Sequence, residues 1–356
     1  MRSGPPDYTD INKLNSAETS DKGEHRKITI SEIAKESGLS VATVSKVLNG
    51  RPDVSAATRA KIQHLILARG YRKRSAPEPQ TPFIDVVFEE FDSPWAVEIV
   101  QGAMAAAEDC GLGVALTSLS QGDERKIWFD QITSRGTKGI ILLLSQLTSL
   151  QRDELYSRRL PFVVIDPRGE PDPLVNSVGA TNWAGGRVAT KHLLDLGHRR
   201  IAIITGPHDL LSARARLDGY RAALESADLV IDDQLCRWGN FHLEGGYDQA
   251  KLLLSLDRPP TAIFAGSDLQ ALGVLQAARE LNLRIPDDLS LVGFDDLPIS
   301  QWSSPPLTTI HQPIREMAAL AVKILIDPNN DMGTSEQRIE LATHLVVRES
   351  TKVFEE

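Results

Sequence analysis

Between Ser40 and Gly50 the chain reads SVATVSKVLNG, and Val41, Ala42, Ser45, Lys46 and Asn49 recur there at spacings that put them on one face of a helix. Val44, Val47 and Leu48 occupy the opposite, apolar face, so the first set is not needed for a core and is free to meet a partner. Lys46 can reach a guanine edge, although less specifically than an arginine would. Val41 and Ala42 can touch a thymine methyl but cannot make a bidentate pair with a base. The amides of the helix's first turn offer phosphate the positive end of the dipole. Charge supports the same partner. From His25 to Arg74 there are eleven Lys and Arg against three acids, so this stretch carries +8 and leaves −17 to the rest of a chain whose total is −9. A basic head on an acidic body suits a phosphate-binding module joined to a domain of another kind.

A second set of residues has the chemistry to hold a small polar ligand. Asp92 and Trp95, then Asp166 and Arg168, follow apolar runs of strand length. Arg216, Phe241, Ser267, Asp268 and Asp295 stand in similar positions further on, with Trp302 in a later loop. Carboxylates and guanidinium can bind hydroxyls, and aromatic rings can cover C–H faces, which together is the chemistry a carbohydrate needs. Each has a plainer role open to it. Arg216 and Asp295 can form an internal ion pair, Asp268 can cap the helix that follows, and Trp95 and Trp302 can pack between lobes.

Catalysis is not expected. Asp295 and Asp296 are neighbours on a strand and point to opposite faces. There is no G-x-x-x-x-G-K-[ST], Gly111-Leu112-Gly113 is an isolated fragment, and no Ser/His/Asp set stands out. His192 and His198, six apart around a helix end, read as structural. Cys110 and Cys236 lack metal-ligand spacing and read as inert packing residues of a protein in a reducing cytoplasm. No cofactor and no metal are implied.

The elements that must hold these residues are legible from caps and periodicity. Thr29-Ile30-Ser31-Glu32 is a capping box. Ile30, Ile33 and Ala34 continue at helical spacing until Gly38 ends the helix. Ser40 caps a second helix, which Asn49-Gly50 breaks. Ser55 caps a third, with Ile62, Leu65 and Ile66 completing a small core before Gly70. Two short helices joined by a tight turn, closed by a third, make a helix-turn-helix. From Phe83 the pattern changes. FIDVVFE, LGVALTS, GIILLLS and PFVVID, and later RRIAIITG, TAIFAG and LSLVGFDD, alternate with amphipathic segments. Near-continuous apolar strands separated by helices imply parallel sheets covered on both faces. Two such series imply two Rossmann-like lobes with the ligand at the carboxyl ends of the strands.

The stretch ITISEIAKESGLSVATVSKVLNGRPDVSAATRAKIQHLILARGYR resembles the head of the LacI/GalR family of bacterial transcription regulators, with GLS-x-x-TVS-x-VLNG as its most specific string. LDLGHRRIAIITGP, SARARLDGYRAAL, PPTAIFAGSDLQALGVLQAARE, IPDDLSLVGFDDLP and SPPLTTIHQP are similar to the family's periplasmic-binding-protein-like core, so the resemblance covers nearly everything after residue 27. It implies that Val41, Ala42 and Lys46 read bases in the major groove, and that Thr29, Ser40, Thr43, Ser45 and Asn49 contact phosphate or stabilise the turn. It further implies that Arg216 and Asp295 contact an effector and that Asp166, Phe241 and Ser267 line its pocket. Trp95 and Trp302 match less well, and Trp183 is a marginal addition.

The chain departs from the family at the hinge. YRKRSAPEPQTPF holds Pro77, Pro79 and Pro82 and no Leu, where the family usually has a hinge helix that wedges a leucine into the minor groove. An extended linker is expected instead, with Arg72, Lys73 and Arg74 contacting DNA electrostatically and no minor-groove wedge.

The expected organisation is therefore α/β. A disordered tail covers 1–27, a small all-α helix-turn-helix domain 28–72 and a proline-rich linker 73–82. One effector-binding lobe takes 83–181 and 312–330, and the other 182–311 and 331–356, with crossings near Thr181, Gln312 and Asn330. No secretory signal or membrane-spanning run is read in the sequence, which separates this chain from a secreted solute-binding protein of the same body shape. The expected protein is a cytoplasmic, nucleoid-associated homodimer, its partners double-stranded operator DNA, a small carbohydrate and a second copy of itself. The expected function is repression altered by the carbohydrate. The rival, a DNA-binding architectural protein without effector, would not respond to sugars.

Overall fold

The Thr29 capping box forms as expected in the computed structural model: the Glu32 amide donates to Thr29 Oγ1 at 3.3 Å and the Thr29 amide to Glu32 Oε2 at 2.7 Å. The structure describes residues 29–48, 54–68, 81–88, 91, 93–118, 132, 135–169, 173, 175–327 and 337–355. The tail, Asn49, Arg72, Lys73, Arg74, most of the linker and Asp92 lie outside these residues. By contacts the chain divides into two units, 1–80 and 81–356.

In the first unit, α1 (Ile30–Ser37) ends on Gly38, whose φ of +69° is the left-handed conformation that glycine adopts without strain. This allows α2 (Val41–Leu48) to start two residues later, with Ser40 Oγ accepting the Thr43 amide at 3.1 Å. Ser55 Oγ accepts the Thr58 amide at 3.3 Å and begins α3 (Ala56–Ala68). Ile33, Ala34, Val44, Val47 and Ile62 form the buried core, with Leu39 and Val54 packed on its edge.

The second unit contains two six-stranded sheets. The first comprises β1 (Phe83–Phe88), β2 (Gly113–Ser118), β3 (Ile140–Leu143), β4 (Phe162–Ile165), β5 (Ser177–Ala180) and β11 (Arg338–Leu341), in the order β11-β5-β4-β3-β1-β2 and parallel throughout. The second comprises β6 (Ile201–Thr205), β7 (Cys236–Trp238), β8 (Ala262–Ala265), β9 (Ser290–Asp295), β10 (Thr308–His311) and β12 (His344–Val346). Its order is β12-β10-β9-β8-β6-β7, with only β12 antiparallel among these pairings.

Helices cover both faces, which is why the strands are apolar in near-continuous runs. In the first lobe α4 (Pro94–Asp109) and α11 (Ile314–Ile326) pack over one face, and α5 (Ser149–Ser157) brings Leu155 to the other. In the second lobe α6 (Asn182–Asp195) and α7 (Leu211–Glu225) cover one face, while α8 (Leu243–Leu254) and α9 (Asp268–Glu280) cover the other. A short α10 (Pro298–Trp302) follows β9.

The chain passes between sheets three times: at Thr181, at Gln312–Pro313 and at Ala342–Thr343. The third passage falls after the position near Asn330 expected from sequence. Arg338–Leu341 adds to the first sheet beside β5 before the chain returns, so 338–341 belong to the first lobe and not the second. Thr181 and Thr343 hydrogen bond to each other at 3.0 Å, tying two of the passages together.

Both cysteines are free; Cys236 is half-buried against the second lobe's core, but Cys110, expected to pack, is exposed at the end of α4. His198 is structural, its ring nitrogens meeting Thr261 Oγ1 at 2.9 Å and Ser290 Oγ at 3.0 Å. Among the described residues no helix is long and apolar enough to cross a membrane.

Candidate functional sites: a helix face and an interlobe cleft

On the head, α2 presents Val41, Ala42 and Lys46 to solvent, with Val41 45% exposed. An exposed valine and alanine beside a lysine contribute nothing to the core formed by Val44 and Val47, which faces the other way. Thr29 and Ser40 are exposed and both accept helix amides, while Thr43 and Ser45 are half-buried alongside. The face is small, convex and free of acids, which is what docking into a groove lined by phosphates requires.

In the body, the carboxyl ends of the central strands of both sheets converge on a cavity of about 380 Å³. Trp95, Asp166 and Arg168 reach it from the first lobe; Arg216, Phe241, Ser267 and Asp295 reach it from the second. These seven of the ten expected residues are brought together from loops and strand ends widely separated in sequence. The backbone is strained at this place: Leu144, Asp166, Phe241 and Asp295, all lining residues, hold positive φ without being glycine. Such conformations persist where surrounding structure enforces them, and clustering around one cavity is typical of binding sites. Gly206 makes room for one of them, since a Cβ there would overlap the Phe241 ring.

Arg216 is the centre of the cleft's electrostatics. Its guanidinium is buried, with Nε donating to Asn182 Oδ1 at 2.9 Å, Nη1 to the Gly266 carbonyl, and Nη2 to Gln312 Oε1 at 3.3 Å. Asp295 Oδ1 lies 3.7 Å away, and the Phe294 ring stacks beneath at 3.6 Å from its centroid. From the other side Gln312 Nε2 donates to Asp166 Oδ2 at 3.2 Å. One side-chain amide on a passage between the lobes thus links a carboxylate of one lobe to a cation of the other.

Burial pushes the Asp166 carboxyl up to about 6, against the lowering influence of Arg216 and the Gln312 hydrogen bond. Burial likewise raises Asp295, again opposed by Arg216. It raises Asp268 well above its ordinary value, with Asp295 adding to the effect. The same desolvation lowers Arg216, offset by Asp295 and then Asp166.

Two expected lining residues are elsewhere. Asp268 is fully buried beneath the cavity floor, where Oδ1 accepts from Thr309 Oγ1 at 2.6 Å and Oδ2 from the Leu297 amide at 2.7 Å. It is not the helix cap either: Ser267 is, accepting the Gln270 amide at 3.1 Å, and Asp268 is the first residue inside α9. Trp302 ends α10 and is 76% exposed, because the buried side of that short helix is taken by Ser300. Asp296, next to Asp295, turns away to pair with Arg348 and His311.

Phe88, Leu144, Ser212, Asn240 and His242 line the cavity without having been singled out, and Gln312 buttresses it. Phe88 and Asn240 follow the same strand-end rule that located Asp166 and Phe241 and were reachable by it. Gln312 acquires its role only from the passage between lobes, which no local pattern encodes.

Residues 29–73 match the description "Bacterial regulatory proteins, lacI family", and residues 190–351 match "Periplasmic binding protein-like domain". The chain is 34% identical over 332 residues to the ribose operon repressor of Escherichia coli strain K12, covering 90% of this chain and 99% of that protein. Among solved structures it resembles the transcriptional regulator CelR–cellobiose complex, with a TM-score of 0.70 and 32% identity over 91% of this chain and 99% of the other. It also resembles the lac repressor dimer bound to operator and the anti-inducer ONPF, with a TM-score of 0.67 and 26% identity over 92% of this chain and all of that one.

Proposed function

Since the chain belongs to the LacI family of bacterial regulators, we propose that it is a repressor that binds operator DNA through α2 and is controlled by a small carbohydrate held between its two lobes. The observation that carries this reading is the join at Gln312, which connects Asp166 and Arg216 across the cleft where a polyhydroxylated ligand would sit. A sugar whose hydroxyls engage Asp166, Arg216 and Asp295, with Trp95 and Phe241 against its C–H faces, would change how the lobes are held together. Similar regulators solved with cellobiose and with ribose bound, and a relative named the ribose operon repressor, support a carbohydrate over other polar molecules.

Val41, Ala42 and Lys46 read bases, while Thr29, Ser40, Thr43, Ser45 and Asn49 engage phosphate or steady the turn. The resemblance to an operator-bound dimer supports a two-fold assembly with one head on each half-site. The protein works in the cytoplasm, on the nucleoid, and its chemistry is binding without turnover.

The test is operator affinity of the full chain, measured by fluorescence anisotropy on a duplex selected from a random pseudo-palindromic library. Addition of ribose, glucose or cellobiose is expected to change the affinity by roughly 5–150-fold. Tight, specific DNA binding that no sugar alters would favour the architectural reading instead.

A further inference from the structure

A second chamber shares a wall with the one just described. Asp166 and Ser212 also wall a second cavity of about 230 Å³, which runs between β5 and β11 of the first lobe and the first turns of α6 and α7. Val178, Ala180, Ile339 and Leu341 pack into the first lobe's core, so strand alternation turns Ser177, Gly179, Arg338 and Glu340 to the opposite face, and all four line this cavity. On its wall stands Trp183, 48% exposed. A half-exposed indole facing a few hydrogen-bonding groups in a concave site has the composition of a carbohydrate subsite.

Two details connect this chamber to the first. The Asp166 carboxylate lies between them: Oδ2 accepts from Gln312, while Oδ1 faces Gly179, where a Cβ would come within 3.2 Å of it. One residue can therefore serve hydroxyls on both sides. Arg338 and Glu340 pair with each other at 3.0 Å, and Asp166 adds a further carboxyl, so the second chamber offers donors and acceptors with no surplus cation, suiting an unphosphorylated sugar. The first chamber alone is near the lower end of the roughly 300–1,000 Å³ common for ligand pockets, and the second adds about 230 Å³ across the shared Asp166 wall.

We propose that this second chamber is a further sugar subsite, with Trp183 as its stacking platform, and that the effector is a neutral oligosaccharide of at least two rings spanning Asp166. This rests on the carbohydrate reading of the main cleft.

Calorimetric titration of the full chain with glucose, xylose, cellobiose, maltose and xylobiose tests it, on the unsubstituted protein and on Trp183→Ala and Glu340→Gln. At least one disaccharide is expected to bind about tenfold tighter than its own monosaccharide. Trp183→Ala should erase that advantage while leaving the monosaccharide affinity within about twofold, and Glu340→Gln should reduce it. Monosaccharides binding as tightly as every disaccharide, or an advantage that survives both substitutions, would overturn the second subsite and leave the main cleft's assignment standing. Failure of all five sugars to bind would overturn the carbohydrate reading itself and the subsite with it.

Discussion

Arg168 of the first lobe and Asp209 of the second form an ion pair of 3.2 Å across the cleft. The backbone reinforces it: the Gly169 amide donates to the Asp209 carbonyl at 2.7 Å, and Arg168 and Leu210 make an isolated antiparallel bridge. The lobes are thus joined covalently by the three passages and non-covalently by this contact as well as by the Gln312 link between Asp166 and Arg216.

Because both side chains of the pair are partly exposed, removing it should cost the fold little, about 0–1 kcal/mol. Its effect should fall on exchange instead. In Asp209→Ala, stopped-flow measurement of sugar release is expected to show a faster off-rate, with the melting temperature nearly unchanged. An unchanged off-rate would mean that the backbone contacts alone hold the cleft.

Arg216 is a different case, being buried among Asp295, Asp166 and Asp268. Arg216→Ala would leave carboxylates buried without their cation, a loss of about 3–5 kcal/mol. Arg216→Lys keeps the charge but loses the planar fork that reaches Asn182, Gly266 and Gln312 together. The lysine variant is expected to fold and bind operator while losing its response to sugar. If it responds normally, the guanidinium geometry is not part of the effector site.

The raised Asp166 carboxyl has a pH signature with a defined sign. Between its ordinary value near 3.8 and about 6 the folded protein holds a proton that the unfolded chain has released. Its contribution to stability is therefore full below about pH 4 and is lost as pH rises through about 6. Asp295, also raised by burial, acts in the same direction. Urea unfolding from pH 4.5 to 8 should show Asp166→Asn gaining on the unsubstituted protein as pH rises. A stability difference independent of pH would contradict the raised pKa.

What was legible in the sequence was local. Thr29 to Glu32 specifies a helix start within four residues, and Gly38 its end, because caps and left-handed turns depend on neighbours alone. The strands were legible for a related reason: burial on both faces leaves apolar runs such as IILL and FVVI. Strand ends located Asp166, Phe241 and Asp295. The rule failed where tertiary structure decided the outcome. Asp268 looked like a cap and is a buried tie between Thr309 and Leu297, and Arg338–Leu341 looked like second-lobe chain yet completes the first sheet. Trp183 looked marginal because its cavity exists only where the first sheet meets two helices of the second lobe.

The head makes its own separable prediction, since Lys46 is the one charged residue on the exposed face formed with Val41 and Ala42. Lys46→Ala should weaken discrimination between operator and mismatched duplex, because Val41 and Ala42 can only sense methyl groups. Phosphate contacts do not depend on Lys46, so the salt dependence should stay steep. For about 6–10 such contacts, affinity should fall roughly 10³–10⁵-fold between 50 and 200 mM salt. Anisotropy titrations at several salt concentrations separate the two effects. Lost affinity with undiminished discrimination would make Lys46 another phosphate contact and leave base reading to Val41 and Ala42.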